Sequence, residues 1–121
     1  MPGRSSRSAG ATYLDSAERI RQLREAAGRA AENMPEIRRI WLFGSLVRGI
    51  PTPRSDADIL VEVATSPHAC PRDRIPEVLG AMRPVPCPVD LFVATSEELA
   101  GHYSGSPVVR LATEAGLRLF G

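Results

Sequence analysis

The sequence predicts a small α+β domain in which a small mixed β-sheet is packed by helices. Apolar residues recur every three or four positions in one segment near the N-terminus, which is the period of a helix with one buried face. Three short, largely apolar segments bounded by glycine and proline have the length and composition of strands. The 121 residues, 43% hydrophobic and 24% charged, suit one globular domain with a core of its own.

The N-terminal quarter is predicted to be a tail followed by a helix. Residues 1–11 are rich in Gly, Ser and Arg without an apolar period, so we expect a disordered tail before a folded domain over 12–121. Asp15 or Ser16 is a suitable N-cap for a helix that continues to about Asn33, before a proline. Its apolar residues share one face, and they are Ile20, Leu23, Ala27, Ala30 and Met34.

Three strands are predicted from short apolar runs. Segments 37–43 (IRRIWLF) and 57–63 (ADILVEV) are separated by a loop with two prolines, and segment 89–94 (VDLFVA) is the third. Alternation in the second strand places Ile59, Val61 and Val63 on one side. The other side carries Asp56, Asp58, Leu60 and Glu62.

Helices are predicted between and after these strands. Segment 72–82 is a plausible short helix, although Pro76 limits its start to about that residue, and Ser96 is a suitable N-cap for another helix. Pro107 opens the last helix, and Gly116 ends it before a possible extended piece over 117–120. The resulting order of helices and strands is typical of an α+β domain.

Composition excludes several classes of function. The net charge of +1 argues against a dedicated nucleic-acid-binding protein, so no direct nucleic-acid partner is expected. No apolar run reaches the roughly 20 residues of a membrane span and no secretory signal is visible, so we expect a cytoplasmic protein. All fifteen basic residues are arginine, which excludes a lysine nucleophile. Cys70 and Cys87 lack metal-ligand spacing, so free thiols are expected, although a disulfide stays open.

Gly44 and Ser45 follow the first predicted strand and are candidates for phosphate binding. Glycine allows a ligand to approach the backbone closely, and amides at a helix start favour an anion. The serine hydroxyl can add a hydrogen bond to a phosphate oxygen. An ordinary turn is nevertheless the commoner explanation of a Gly-Ser pair taken alone.

Three aspartates are candidate metal ligands. Asp56 and Asp58 lie two apart on a strand, so their carboxylates leave the same face and repel each other unless a cation lies between them. Oxygen ligands suit Mg²⁺ or Mn²⁺, although a solvated strand end explains an isolated pair equally well. Asp90, inside the third strand, would complete a cluster able to hold two metal ions roughly 3.5–4 Å apart.

The spacing of these candidates resembles the signature of the DNA polymerase β-like nucleotidyltransferase superfamily, and most of all its minimal nucleotidyltransferase branch. The matching segments are FGSLVRG at 43–49, SDADILVEV at 55–63 and VDLFVA at 89–94. The resemblance covers roughly residues 15–121.

The resemblance implies the polymerase β-like fold and transfer of a nucleoside monophosphate to a hydroxyl group, in the first place AMP from ATP with Mg²⁺ or Mn²⁺. It implies that the nucleotide's phosphates are bound by Gly44, Ser45 and Arg48. It implies that metal binding and catalysis depend on Asp56, Asp58 and Asp90.

The same resemblance implies a partner. Minimal nucleotidyltransferases commonly pair with a HEPN-domain toxin encoded by the neighbouring gene, and as antitoxins they adenylylate one of its tyrosines. An alternative is a catalytically weak or inactive nucleotide-binding module that neutralises a partner by contact. Leu46 favours this alternative, because family members often carry arginine directly after the serine. Modification of an aminoglycoside is a third possibility, although such enzymes usually have an additional helical domain. A homo- or hetero-oligomer is expected.

Overall fold

The computed structural model describes residues 2–44, 46–47 and 57–121 of the chain, with side chains from Ser16 onward. Within these ranges the protein has four helices and four strands, which confirms the predicted α+β class. In chain order they are α1 (Pro2–Asn33), β1 (Ile37–Phe43), β2 (Ala57–Val63), α2 (Pro71–Met82), β3 (Val89–Thr95), α3 (Ser96–Ala100), α4 (Pro107–Ala115) and β4 (Leu117–Phe120).

The four strands form one mixed sheet in the order β3-β2-β1-β4. Strand β1 is antiparallel to both β2 and β4, whereas β2 and β3 are parallel. Parallel neighbours need a crossover connection, and α2 supplies it between β2 and β3. The acidic strand β2 is therefore an interior strand, while β3 lies at an edge of the sheet.

Helices α1 and α2 cover one face of the sheet. The predicted apolar face of α1 is buried there, with Leu23, Ala27 and Ala30 fully inaccessible to solvent. These residues belong to the main core, which also contains Ile59 and Val61 of β2. The alternation predicted for the second strand is thus confirmed on its apolar side.

Helices α3 and α4 pack against the opposite face of the sheet. Trp41 and Leu60 on that face form a second core cluster with Val109 and Ala112 of α4. Partly buried aromatic and aliphatic side chains surround this cluster, namely Phe43, Phe92, Leu99 and Tyr103. No helix in the described part of the chain is long and apolar enough to cross a membrane.

Buried Arg74 ties α2 to β3 and α3. Its guanidinium donates to both carboxylate oxygens of Glu98, at 2.7 and 3.0 Å, and to the carbonyl of Val93 at 2.9 Å. Its Nε also donates to the carbonyl of His68 at 2.9 Å. Hydrogen bonding to Arg74 holds the pKa of the Glu98 carboxyl below its ordinary value. Such a two-pronged pair is strong and directional, so it fixes three elements relative to one another.

The structure corrects the predicted helix starts. Helix α1 begins at Pro2 rather than at Asp15 or Ser16. The predicted division into a tail over 1–11 and a folded domain over 12–121 stays a prediction. Proline suits a first helical position because its missing N–H would have no partner there. Two glycines in this stretch, each costing about 1 kcal/mol in a helix relative to alanine, led the sequence prediction towards a tail.

The cap of α3 also differs from the prediction. Thr95, rather than Ser96, is the N-cap, and its Oγ1 accepts from the Glu98 amide at 3.1 Å. The Glu98 carboxylate in turn accepts from the Thr95 amide at 2.9 Å, which completes a capping box. Pro107 and Gly116 bound α4 as predicted, and the extended piece over 117–120 is strand β4.

Candidate active site

One row of side chains on the α3/α4 face of the sheet carries the predicted acids. Phe43 of β1 is the register partner of Asp58 of β2, and Asp58 is the register partner of Asp90 of β3. Directly opposed residues on neighbouring strands, which lie about 4.8 Å apart, project from the same face of a sheet. Asp58 is half-buried and Asp90 is exposed at the edge strand. We call Asp58 and Asp90 the acid pair.

Gly44, directly after β1, lies against Asp58. Its φ of +88° is in the left-handed region, which favours glycine. A Cβ at this position would collide with Oδ2 of Asp58 and would lie 3.4 Å from the Cγ of the same carboxylate. The Asp58 carboxylate therefore occupies the space beside the Gly44 backbone that a side chain would fill.

The structure thus brings together part of the predicted site. Gly44 and the acid pair lie at one end of β1, β2 and β3, on one face of the sheet. Ser45, Arg48 and Asp56 lie outside the described residues, and their predicted roles stay predictions.

Leu46 differs from its expected place in the site. Its side chain is 1% exposed and belongs to the main core on the α1/α2 face. From the sequence, leucine in place of the arginine that is frequent in the resembling family favours an inactive binding module. A side chain in the core cannot also contact a phosphate on the opposite face, so the leucine serves packing in this chain.

The acid pair fits a divalent cation by the chemistry of its donors. Carboxylate oxygens are the protein ligands that Mg²⁺ and Mn²⁺ prefer, and one or two of them are typical of nucleotide-dependent sites. Two carboxylates opposed on neighbouring strands repel each other, and a bound cation would relieve this repulsion. Within the described ranges no group of three His, Cys, Asp or Glu side chains is arranged to hold a metal ion. Asp56, which is also predicted as a metal ligand, lies outside those ranges.

A separate polar cleft lies further along the same face. Glu62 of β2, which is only 6% exposed, accepts from Nη1 of Arg39 at 2.9 Å and from Oγ of Ser96 at 2.7 Å. These residues line a cleft of about 390 Å³ between the sheet, α3 and α4. Sequence reasoning gave Glu62 no role, although a glutamate inside an otherwise apolar strand was a usable signal. The Trp41–Leu60 row separates this cleft from the acid pair.

Comparison with known proteins identifies the family and a similar fold. The model of the family described as "nucleotidyltransferase domain" matches residues 20–104, which is more than half of the chain. A crystal structure of a proposed nucleotidyltransferase from Sulfolobus solfataricus has a similar fold, with a TM-score of 0.59 and 23% sequence identity. That similarity covers 74% of this chain and 78% of the Sulfolobus chain. A search of curated proteins found no significant match. The family match includes the turn after β1, the acidic strand β2 and strand β3, and the chain therefore belongs to the nucleotidyltransferase domain family of the polymerase β-like superfamily.

Proposed function

We propose that this protein is a cytoplasmic, divalent-cation-dependent nucleotidyltransferase that moves a nucleoside monophosphate, in the first place AMP from ATP, onto a hydroxyl group. The observation that carries the proposal is the direct register of Asp58 with Asp90 beside Gly44. Membership of the nucleotidyltransferase family supports the reaction class, because the matched residues include all three.

The chemistry needs positioning more than covalent participation by the protein. An acceptor oxygen forms a bond to the α-phosphorus, and the bond from that phosphorus to the bridging oxygen of pyrophosphate breaks. The hydroxyl proton must leave as the new bond forms. Asp90 is exposed at the edge strand, where an acceptor can reach it, so we assign it the orientation of the hydroxyl or the removal of its proton.

Asp56 and Asp58, with Asp90 as the third ligand, would hold Mg²⁺ or Mn²⁺. The bound cation would neutralise phosphate charge and lower the pKa of the attacking hydroxyl. Asp58 lies on the interior strand β2, and its chain neighbours Ala57 and Ile59 are fully buried. The backbone at Asp58 is therefore fixed in place. Ligands with fixed positions suit a reaction in which negative charge develops at a defined position and must be stabilised there.

For the acceptor we propose a tyrosine of a HEPN-domain partner, with this chain acting as its antitoxin. The support is the sequence resemblance to the minimal branch, carried by FGSLVRG at 43–49 and SDADILVEV at 55–63. Leu46 packs in the core, so its side chain itself has no part in the site, and the transfer experiment below decides between the enzyme and the inactive binding module.

Transfer of label from α-labelled ATP tests both the proposed reaction and the proposed acceptor. The protein would be co-purified with the product of its neighbouring gene and incubated with Mg²⁺ or Mn²⁺. We expect label on a tyrosine of the partner, lost in Asp56→Ala/Asp58→Ala and retained in Asp73→Asn, an exposed acid on α2. Label on a different hydroxyl acceptor would support the proposed nucleotidyl transfer but would contradict the proposed HEPN tyrosine as its acceptor.

The absence of transfer has its own meaning. If no acceptor in a whole-cell extract takes up label, and the Asp56→Ala/Asp58→Ala variant protects cells from the partner as well as the unchanged protein does, the binding-module alternative replaces the enzymatic one.

A further inference from the structure

We propose that Gly44 is a positioning residue for Asp58. By lacking a side chain it leaves the space in which Oδ2 of Asp58 lies, and it thereby sets the direction of this cation ligand before any nucleotide binds. The inference deepens the proposed function and rests on it, since it concerns the same cation-binding acid.

The contacts around Gly44 carry this inference. A Cβ built on Gly44 would meet Oδ2, Cγ and Cβ of Asp58 as its three nearest atoms, with the last two at 3.4 and 3.6 Å. The space beside Gly44 is therefore filled by one side chain, and that side chain is a member of the acid pair. A larger residue at position 44 would displace this carboxylate before it displaced anything else.

The backbone at Asp58 cannot shift to make room for a larger residue at position 44. It lies on β2, between β1 and β3, and its chain neighbours Ala57 and Ile59 are 0% exposed. The carboxylate would have to rotate about its side-chain bonds instead. Rotation changes the direction of the cation ligand while leaving the sheet in place.

This role differs measurably from the phosphate contact that the sequence predicts for Gly44. A glycine needed only for close approach of a phosphate affects nucleotide affinity and leaves nucleotide-free cation binding unchanged. A glycine that positions Asp58 affects cation binding in the absence of nucleotide.

The test is Mn²⁺ affinity without nucleotide, measured from the electron paramagnetic resonance signal of free Mn²⁺ at constant ionic strength. We expect Gly44→Ala to weaken binding at least about tenfold, as is usual when a group that orients a metal ligand is lost. The matched control is Gly80→Ala on α2, where an added Cβ meets nothing within 4 Å, and it should bind Mn²⁺ like the unchanged protein.

The outcomes separate the inference from the function on which it rests. If the unchanged protein binds Mn²⁺ and Gly44→Ala binds it equally well, the positioning role is overturned and the proposed function stands. If the unchanged protein binds no Mn²⁺, with or without ATP, both are overturned.

A double-mutant cycle keeps the inference testable if Gly44→Ala is too unstable for binding studies. Alanine at position 44 also suffers backbone strain, because φ is +88°. In an Asp58→Ala background the strain remains but the collision with the carboxylate is gone. We expect the fold-change in the unfolding equilibrium constant caused by Gly44→Ala to shrink at least tenfold in that background. If Gly44→Ala changes the unfolding equilibrium constant equally in both backgrounds, backbone strain alone explains why glycine is needed at position 44.

Discussion

Replacing Leu46 by arginine tests the claim that position 46 belongs to the core and not to the nucleotide site. Arginine is frequent after the serine in proteins that this sequence resembles, so Leu46→Arg would restore a phosphate contact if the side chain faced the site. The structure predicts the opposite, because the Leu46 side chain is 1% exposed among the residues of the main core. We expect a large loss of stability and no gain in nucleotide affinity.

The magnitude follows from what is removed and what is added. Removal of a buried leucine side chain costs about 2–5 kcal/mol in the free energy of unfolding. A guanidinium placed among apolar groups adds an unpaired buried charge, unless the segment opens to let it reach water. We therefore expect Leu46→Arg to cost at least about 3 kcal/mol, a large share of the roughly 5–15 kcal/mol that holds a domain folded. Leu46→Met, which nearly conserves volume, should cost less than about 1.5 kcal/mol.

Urea denaturation and calorimetric titration with ATP measure the two quantities separately. With a slope of about 1–3 kcal/mol per molar urea, the loss expected for Leu46→Arg lowers the midpoint by at least about 1 M. ATP affinity, measured well below the new midpoint, should not rise. A Leu46→Arg protein as stable as the unchanged one, with tighter ATP binding, would refute the placement of this side chain in the core.

Two further positions give predictions on activity and on stability. Asp90→Asn should reduce nucleotidyl transfer by about 10²–10⁴-fold, because it removes a proposed base and cation ligand. It should also abolish the rise in melting temperature that Mn²⁺ binding gives, whereas the control Asp73→Asn should retain that rise. An Asp90→Asn protein that Mn²⁺ still stabilises would contradict the acid pair as the binding site. Arg74→Met should lower the free energy of unfolding, measured by urea denaturation, by about 1.5–3 kcal/mol, because the partly buried Glu98 carboxylate loses its charged partner and keeps the hydrogen bond from the Thr95 amide. The pH dependence follows from the pKa of Glu98, which is lowered in the folded protein below 4.5: the Arg74–Glu98 contribution is fully present above that pH and is lost as pH falls through the lowered value. Below pH 4.5, stability should therefore fall less steeply with falling pH in Arg74→Met than in the unchanged protein, and equal slopes would refute this assignment.

The strands were predictable from sequence because their signals are local. Segments 37–43 and 57–63 coincide with β1 and β2, and the predicted third strand differs from β3 by a single residue at its end. Alternation of side chains along a strand follows from backbone geometry alone, so it also predicted correctly which face of β2 is apolar. Pro107 and Gly116 likewise marked the ends of α4, since both residues act on their own backbone.

The order of the strands was not predictable in the same way. Nothing in a single segment states that β3 lies parallel to β2 while β1 lies antiparallel to it. That arrangement depends on packing of α2 across the sheet and on the register between distant segments. The closeness of Asp58 and Asp90 was therefore available from the sequence only through family resemblance, and the physical reason for it appears only in the fold.

The candidate site shows the same division between local and tertiary information. The sequence indicated that Gly44 needs freedom from a side chain, but the group that fills the resulting space, the Asp58 carboxylate, comes from another strand. Leu46 was interpreted from its neighbours in the motif, whereas its place is set by the core beneath the sheet. Local sequence patterns therefore assign the wrong role to residues whose contacts are with partners distant in sequence.

The geometry of the acid pair depends on strand register more than on the acids themselves. A slip of β3 by one residue would turn Asp90 to the opposite face of the sheet and separate it from Asp58, because side chains alternate along a strand. Two contacts outside the site oppose such a slip. The amide of Ala57 donates to the carbonyl of Pro88 at 2.9 Å where the strands begin, and Arg74 donates to the carbonyl of Val93 at 2.9 Å further along β3. The Arg74 contact joins the register of β3 to α2, so substitutions at this buried arginine should disturb cation binding at the acid pair as well as stability.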